Sequence, residues 1–208
     1  MPREISSALS ILLLLLASPA LTSQDRSAAD QNATPSEAHG SDGDVSPSKP
    51  EPEAPLSPAV AQLRHAAGEW DATTEFLAPD GTVARSVEGT YVFEWVVADR
   101  VLSGRSELPE LNQISGLLFY YKEAEDLIGM AAVGADGHLW VMTGPADSEV
   151  RTTPPTVMPD GSTLMLRFTR YKVEPDSFES MMEYSNDDGA TWTQGNHQVF
   201  TRRVDASG

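Results

Sequence analysis

The stretch Asp160-Gly161-Ser162-Thr163-Leu164-Met165-Leu166-Arg167-Phe168-Thr169-Arg170-Tyr171 decides the fold. An Asp-Gly turn signal opens it, and Leu164, Leu166 and Phe168 then alternate with Thr163, Met165, Arg167 and Thr169. A period of two puts one set on each face of a strand, so the stretch predicts a half-buried strand with one wet face. The same alternation sets Tyr91, Phe93, Trp95 and Val97 against Thr90, Val92, Glu94 and Val96. It also sets Phe178, Met182 and Tyr184 against Glu179, Met181 and Glu183. Further strands are expected around 71–78, 101–107, 113–121, 127–133, 138–143 and 192–202. Asp-Gly recurs at Asp80-Gly81, Asp136-Gly137 and Asp188-Gly189, the strongest short hairpin signal. No stretch is long enough for a crossover helix, so the strands form an antiparallel meander. Such a meander must close or split to hide its edges. The expectation is an all-β, antiparallel up-and-down barrel of about 8–10 strands.

Before the strands lies one short helix. Ser57-Pro58 supplies a cap residue and a proline at the first helical position, Val60, Leu63 and Ala67 recur at helical spacing, and Gly68 ends the run. Residues 21–57 hold Pro35, Pro47, Pro50, Pro52 and Pro55 among Ser, Ala and acidic residues, with no aromatic side chain. That composition cannot bury enough apolar surface to offset its ordering entropy, so a disordered linker is expected there. Residues 1–20 carry Arg3, an apolar run containing Leu12 to Leu16, and Ser18-Pro19-Ala20. This is the layout of a secretory signal peptide, its apolar run being far shorter than the roughly 20 residues of a spanning helix. The expected organisation is a signal peptide over 1–20, a linker over 21–57, a barrel over 58–204 and a tail over 205–208. The expected destination is the periplasm or the exterior, with no stable membrane insertion once the leader is cut.

The 208 residues suffice for one domain of ordinary size. Thirty-one acidic residues against 14 basic ones give a net charge of −17. A phosphate backbone demands a basic face, so a nucleic-acid partner is excluded, and adhesion to an anionic membrane surface is disfavoured. Cysteine is absent, which removes disulfides, thiolate catalysis and Cys-ligated metals. Neither a nucleophile-elbow Gly-x-Ser-x-Gly nor a phosphate loop is present. Glu179 and Glu183 share one strand face about 13 to 14 Å apart, too far for a glycosidase pair. His65 and His138 lack metal-ligand spacing. No catalytic residue, metal or cofactor is therefore assigned from the residues themselves.

Three motifs carry resemblances. Ser185-Asn186-Asp187-Asp188-Gly189-Ala190-Thr191-Trp192 fits the Asp-box of sialidase-like propellers, where it repeats once per blade away from the catalytic site. Here it occurs once and reads as a structural hairpin, with Asp accepting from loop backbone, Gly at positive φ and Trp packed beneath. Gly68-Glu69-Trp70 resembles the signature that opens calycin barrels, the superfamily of lipocalins and fatty-acid-binding proteins. With Leu63, Trp192, Arg202 and Arg203, the ensemble resembles uncharacterised exported bacterial calycin-like domains over about residues 59–204. That resemblance implies a barrel whose first strand tucks Trp70 under the closed end, beside the helix, with the arginines capping the indole or the last carbonyls. The chain is also similar to nitrobindin-like haem barrels, which carry a haem-ligating histidine just before a closing arginine pair. His197 occupies that place, although Ala72 and Thr74 stand where that family has glycines. Haem at His197 is accordingly the alternative cofactor reading.

A barrel of this strand number has an interior wide enough for one small ligand. The candidate pocket lining is Tyr91, Phe93, Trp95, Phe119, Trp140, Met142 and Phe168. Met130, Met142, Met165 and Met182 either line such a cavity or fill core. The favoured function is an exported barrel binding a small apolar molecule. Its rival is a passive envelope module for a protein partner, expected to show an exposed apolar patch.

Overall fold

The computed structural model describes residues 56–203. The expected signal peptide over 1–20, nearly all of the expected linker over 21–57 and the expected tail over 205–208 lie outside the described residues. Helix α1 (Pro58–Ala66) starts as its residues dictate: Ser57 is extended and its hydroxyl accepts from the Val60 amide at 3.3 Å, and Pro58 opens the first turn. Gly68 follows at φ +113°, a conformation open to glycine. The helix buries Ala59, Leu63 and Ala66 against Leu102, Phe119 and Ile128 of the sheet. Nine residues cannot hold a helix alone, so this packing stabilises it. Among the described residues no helix is long and apolar enough to cross a membrane.

The strands are β1 (Gly68–Leu77), β2 (Val83–Val97), β3 (Val101–Leu108), β4 (Gln113–Lys122), β5 (Leu127–Val133) and β6 (Leu139–Pro145). They continue with β7 (Val150–Thr152), β8 (Thr156–Val157), β9 (Thr163–Glu174), β10 (Ser177–Ser185) and β11 (Thr193–Arg202). Neighbours pair antiparallel from β1 through β7, β7 passes to β9, and β9–β10–β11 leads back to β1. Ten strands thus close a ring, and β8 hangs on β9 outside it. The chain forms the expected all-β, calycin-like up-and-down barrel with one short helix. Sequence periodicity missed β7 and β8, which are two or three residues long, and the first half of β2. It opens with Val-Ala-Arg-Ser, all four exposed, so the start of the strand carries no alternating signal.

Every Asp-Gly turn lies at the same end. They join β1 to β2, β5 to β6, β8 to β9 and β10 to β11, and each glycine has φ between +74° and +87°. The aspartates also fold back: Asp80 Oδ1 accepts from the Thr82 amide at 3.0 Å and Asp160 Oδ1 from the Ser162 amide at 2.9 Å. The Asp-box turn is a structural hairpin as expected. Asp187 accepts from the Thr191 hydroxyl at 2.6 Å, the Thr191 amide at 2.8 Å and the Ser185 hydroxyl at 2.7 Å. These bonds pull the Asp187 carboxyl down to about 2. Trp192 lies beneath, with the Arg167 guanidinium 4.3 Å from its ring.

Helix α1 closes the opposite end. Trp70 is fully buried there and donates from Nε1 to the Ala66 carbonyl at 2.9 Å. Arg202 covers its ring and also donates to the Ala67 and His65 carbonyls, each at 2.8 Å. It therefore caps the indole and the helix end together. Arg203 instead pairs at the surface with Asp71 at 2.7 Å.

Candidate ligand cavity

Alternation along each strand decides which side chains meet inside the ring. The interior holds a partly open cavity of about 240 Å³ running from Ala66 and Trp70 at the helix end to Phe76, Leu108 and Gly134 at the turn end. Six of the seven residues anticipated from the sequence line it: Tyr91, Phe93, Phe119, Trp140, Met142 and Phe168. Trp95 does not. It is on the same face as Phe93 but opposite Leu102 at the helix end, beyond the cavity, and is 37% exposed. Phe93 owes its position to its cross-strand partner Gly104, where a methyl group would lie 2.5 Å from the ring.

Sequence reasoning missed the polar part of the wall. Gln198 and Thr74 face each other across β11 and β1, and Gln198 Nε2 donates to Thr74 Oγ1 and to the Tyr91 hydroxyl, both at 2.9 Å. Tyr91 in turn faces Ser106, and Ser106 faces Ser115. Burial pushes the Tyr91 phenol up, against the hydrogen bonds from Gln198 and Ser106. Asn196 also lines the cavity, and its Oδ1 is buried without a hydrogen-bond partner, as is Trp140 Nε1. The available signal was parity: Phe200 is core-like, so Gln198 and Asn196, two and four residues before it, share its face.

The same parity turns His197 outward. It bridges two carboxylates on the outer face, Nδ1 meeting Glu75 at 3.0 Å and Nε2 meeting Glu179 at 2.9 Å. Both ring nitrogens must donate to carboxylates, so the ring is an imidazolium. Burial opposes that charge, but Glu75 and Glu179 outweigh it and hold the pKa above 6.5. The ring has no free nitrogen and does not face the cavity, so this geometry does not supply an interior haem ligand. Among the described residues no cluster of His, Asp and Glu is arranged to hold a metal.

Charge at the helix end is tightly managed. Arg170, which lines the cavity floor, makes a two-point ion pair with Glu149 at 2.8 and 2.9 Å. Its third nitrogen donates to His65 Nδ1 at 3.2 Å, so His65 is neutral and donates from Nε2 to the Glu174 carbonyl at 2.8 Å. Burial, with Arg170 beside it, pulls His65 down. Arg151 lies behind Phe119, its guanidinium 5.0 Å from the ring. It donates to Gln62 Oε1 and has no carboxylate partner among the described residues. Burial and the nearby Arg170 pull it down to about 10.

No family model matches the chain, and no curated protein matches it. Among solved structures it is similar to Rv2717c from M. tuberculosis, at 13% identity and a TM-score of 0.49, over 72% of this chain and 100% of that one. It is similar to EF1p2_mFAP2b, solved bound to DFHBI, at 14% identity and a TM-score of 0.36, over 71% of this chain and 100% of that one. It is also similar to the S-type phycobiliprotein lyase CPES from Guillardia theta, at 12% identity and a TM-score of 0.39, over 69% of this chain and 92% of that one.

Proposed function

We propose that the protein is a small-ligand-binding barrel and that the interior cavity is its site. The observation that carries this reading is a hollow of about 240 Å³ inside the ring, walled by large apolar side chains. Interiors are otherwise close-packed, so a hollow of this size within the ring departs from ordinary core packing. A barrel selected for stability alone would fill it with larger residues. The neutral dye N-phenyl-1-naphthylamine tests the reading: micromolar binding, lost on filling the cavity with Ala132→Phe, is expected. A wild-type protein that refuses the dye overturns it. We further propose that the leader over 1–20 exports the protein, tested by N-terminal sequencing of the secreted form for a cut after Ala20.

A second reading rests on the outer face of β4, β5 and β6. Leu118, Ala131 and Val141 lie side by side there, with Val133 and Leu139 paired next to them, and Leu139 is 59% exposed. A contiguous apolar patch of this kind suits a protein partner. Leu139→Lys should abolish any association seen by analytical ultracentrifugation while leaving dye binding intact.

A further inference from the structure

We infer that the cavity takes an uncharged, planar aromatic molecule carrying hydrogen-bonding groups along one edge. This rests on the reading of the cavity as a ligand site and adds the chemical class. The first observation is that the uncharged polar side chains of the wall gather on one side of the ring, among apolar neighbours such as Phe93, Phe119 and Phe200. Gln198 faces Thr74 and also reaches the Tyr91 hydroxyl, Tyr91 faces Ser106 and Ser106 faces Ser115, so polar groups follow one another across β11, β1, β2, β3 and β4. The facing side holds the register pairs Met130–Met142, Ala132–Trp140 and Phe168–Met182, on β5, β6, β9 and β10. An aliphatic chain gains nothing from a row of hydroxyls and amides. A ring with a polar edge satisfies these groups on one side and meets methionine sulfur and aromatic faces on the other, where such contacts are favourable.

The second observation is unused hydrogen-bonding capacity at the wall. The buried Asn196 Oδ1 is an acceptor and the buried Trp140 Nε1 a donor, neither with a partner. Buried polar atoms are normally paired, and leaving one unpaired is costly. A small shift of either side chain around a bound molecule would supply the missing partner.

The third observation fixes the charge. Among the described residues Arg170 is the sole charged one lining the cavity, and Glu149 already neutralises it. A cation inside would find no carboxylate, and burying an unpaired charge is prohibitive. The turns at the other end carry Asp80, Asp136, Asp160 and Asp187, and hydrogen bonds lower the pKa of Asp80, Asp160 and Asp187. That ring of negative charge repels an incoming anion.

The test compares 2-naphthol with 2-methylnaphthalene, two molecules of the same shape that differ in one hydrogen-bonding group. Decan-1-ol and decanoate serve as aliphatic and anionic comparators, and the full chain is titrated by calorimetry and tryptophan quenching. The expected result is at least tenfold tighter binding of 2-naphthol than of 2-methylnaphthalene, with decanoate the weakest of the four. The double variant Asn196→Leu/Gln198→Leu should bring the naphthol preference close to one while keeping 2-methylnaphthalene binding, which also shows that it folds. Tyr91→Phe, a smaller change, should reduce the preference without abolishing it. Equal affinities for 2-naphthol and 2-methylnaphthalene, tighter binding of decan-1-ol, or a preference unmoved in both variants overturn the ligand class and leave the cavity reading standing. Failure of all four probes and of the naphthylamine dye removes the cavity reading itself.

Discussion

The Arg202 guanidinium carbon sits 4.1 Å from the centroid of the Trp70 ring, joining the last strand of the barrel to the first. Register puts the two residues directly opposite each other, so the contact marks the seam where the meander closes. Phe178 meets the other side of Trp70 edge-on at 5.0 Å and stacks on Phe200 at 4.2 Å. The seam is therefore an aromatic cluster flanked by two cations, since the Arg170 guanidinium also lies 5.6 Å from the Phe178 ring.

Arg202→Met should destabilise the protein by about 2–4 kcal/mol, since it loses the ring contact and two bonds to the carbonyls at the end of α1. Arg203→Met, which loses only exposed ion pairs, should change little. Urea unfolding of the two variants checks this. Equal losses would mean that Arg202 acts only as a surface charge.

The two buried-edge histidines should respond to pH with opposite sign. His197 has its folded pKa raised, so its contribution is complete below about pH 6.5 and fades as pH rises through the folded value. The stability gap between wild type and His197→Gln should then be larger at pH 6 than at pH 9. His65 has its folded pKa lowered, so its contribution is present above about pH 6.5 and is lost as pH falls toward the folded value. The gap between wild type and His65→Gln should shrink between pH 7 and pH 5. Denaturant midpoints across pH measure both gaps, and gaps that do not change with pH count against the assigned contacts.

Arg151 is 1% exposed and lacks a carboxylate partner. Replacing a buried cation with an apolar side chain of similar length is often neutral or stabilising, so Arg151→Met should raise stability by about 1–3 kcal/mol. Gln62→Ala leaves the cation only its long bond to the Glu149 carbonyl and should lower stability by about 2 kcal/mol. A strongly destabilised Arg151→Met would show that its stacking on Phe119 outweighs the cost of burying its charge.

Gly104→Ala drives a methyl group into the Phe93 ring and pushes that ring toward the cavity. A loss of about 1–3 kcal/mol is expected, with a weaker response to N-phenyl-1-naphthylamine. Thermal melts and dye titration on the same sample separate the two effects. Unchanged dye binding would place Phe93 outside the ligand's reach.

Much of the barrel was legible because its signals are local. Alternation marks a strand wherever one face is wet, as at Leu164, Leu166 and Phe168, and Asp-Gly marks a turn through the backbone it permits. Where pairing alone makes a strand, as at residues 83–86 and Val150–Thr152, the residues carry no such mark. The cavity was legible by halves for a related reason. Aromatic and methionine residues announce an inner face, whereas Thr74, Ser106, Asn196 and Gln198 look like surface until a neighbour fixes their parity.

The amino-acid order by itself determined the longer strands, the Asp-Gly turns, the capped helix and most of the inward set of large apolar residues, because each depends on neighbours a few positions away. Only the closed tertiary structure decided the rest. Closing β9, β10 and β11 onto β1 placed the polar side chains opposite the methionines and turned His197 out between Glu75 and Glu179. The same closure left Trp95 beyond the end of the cavity. Those outcomes depend on register between strands far apart in the chain, and a one-residue slip would exchange the faces of the whole set.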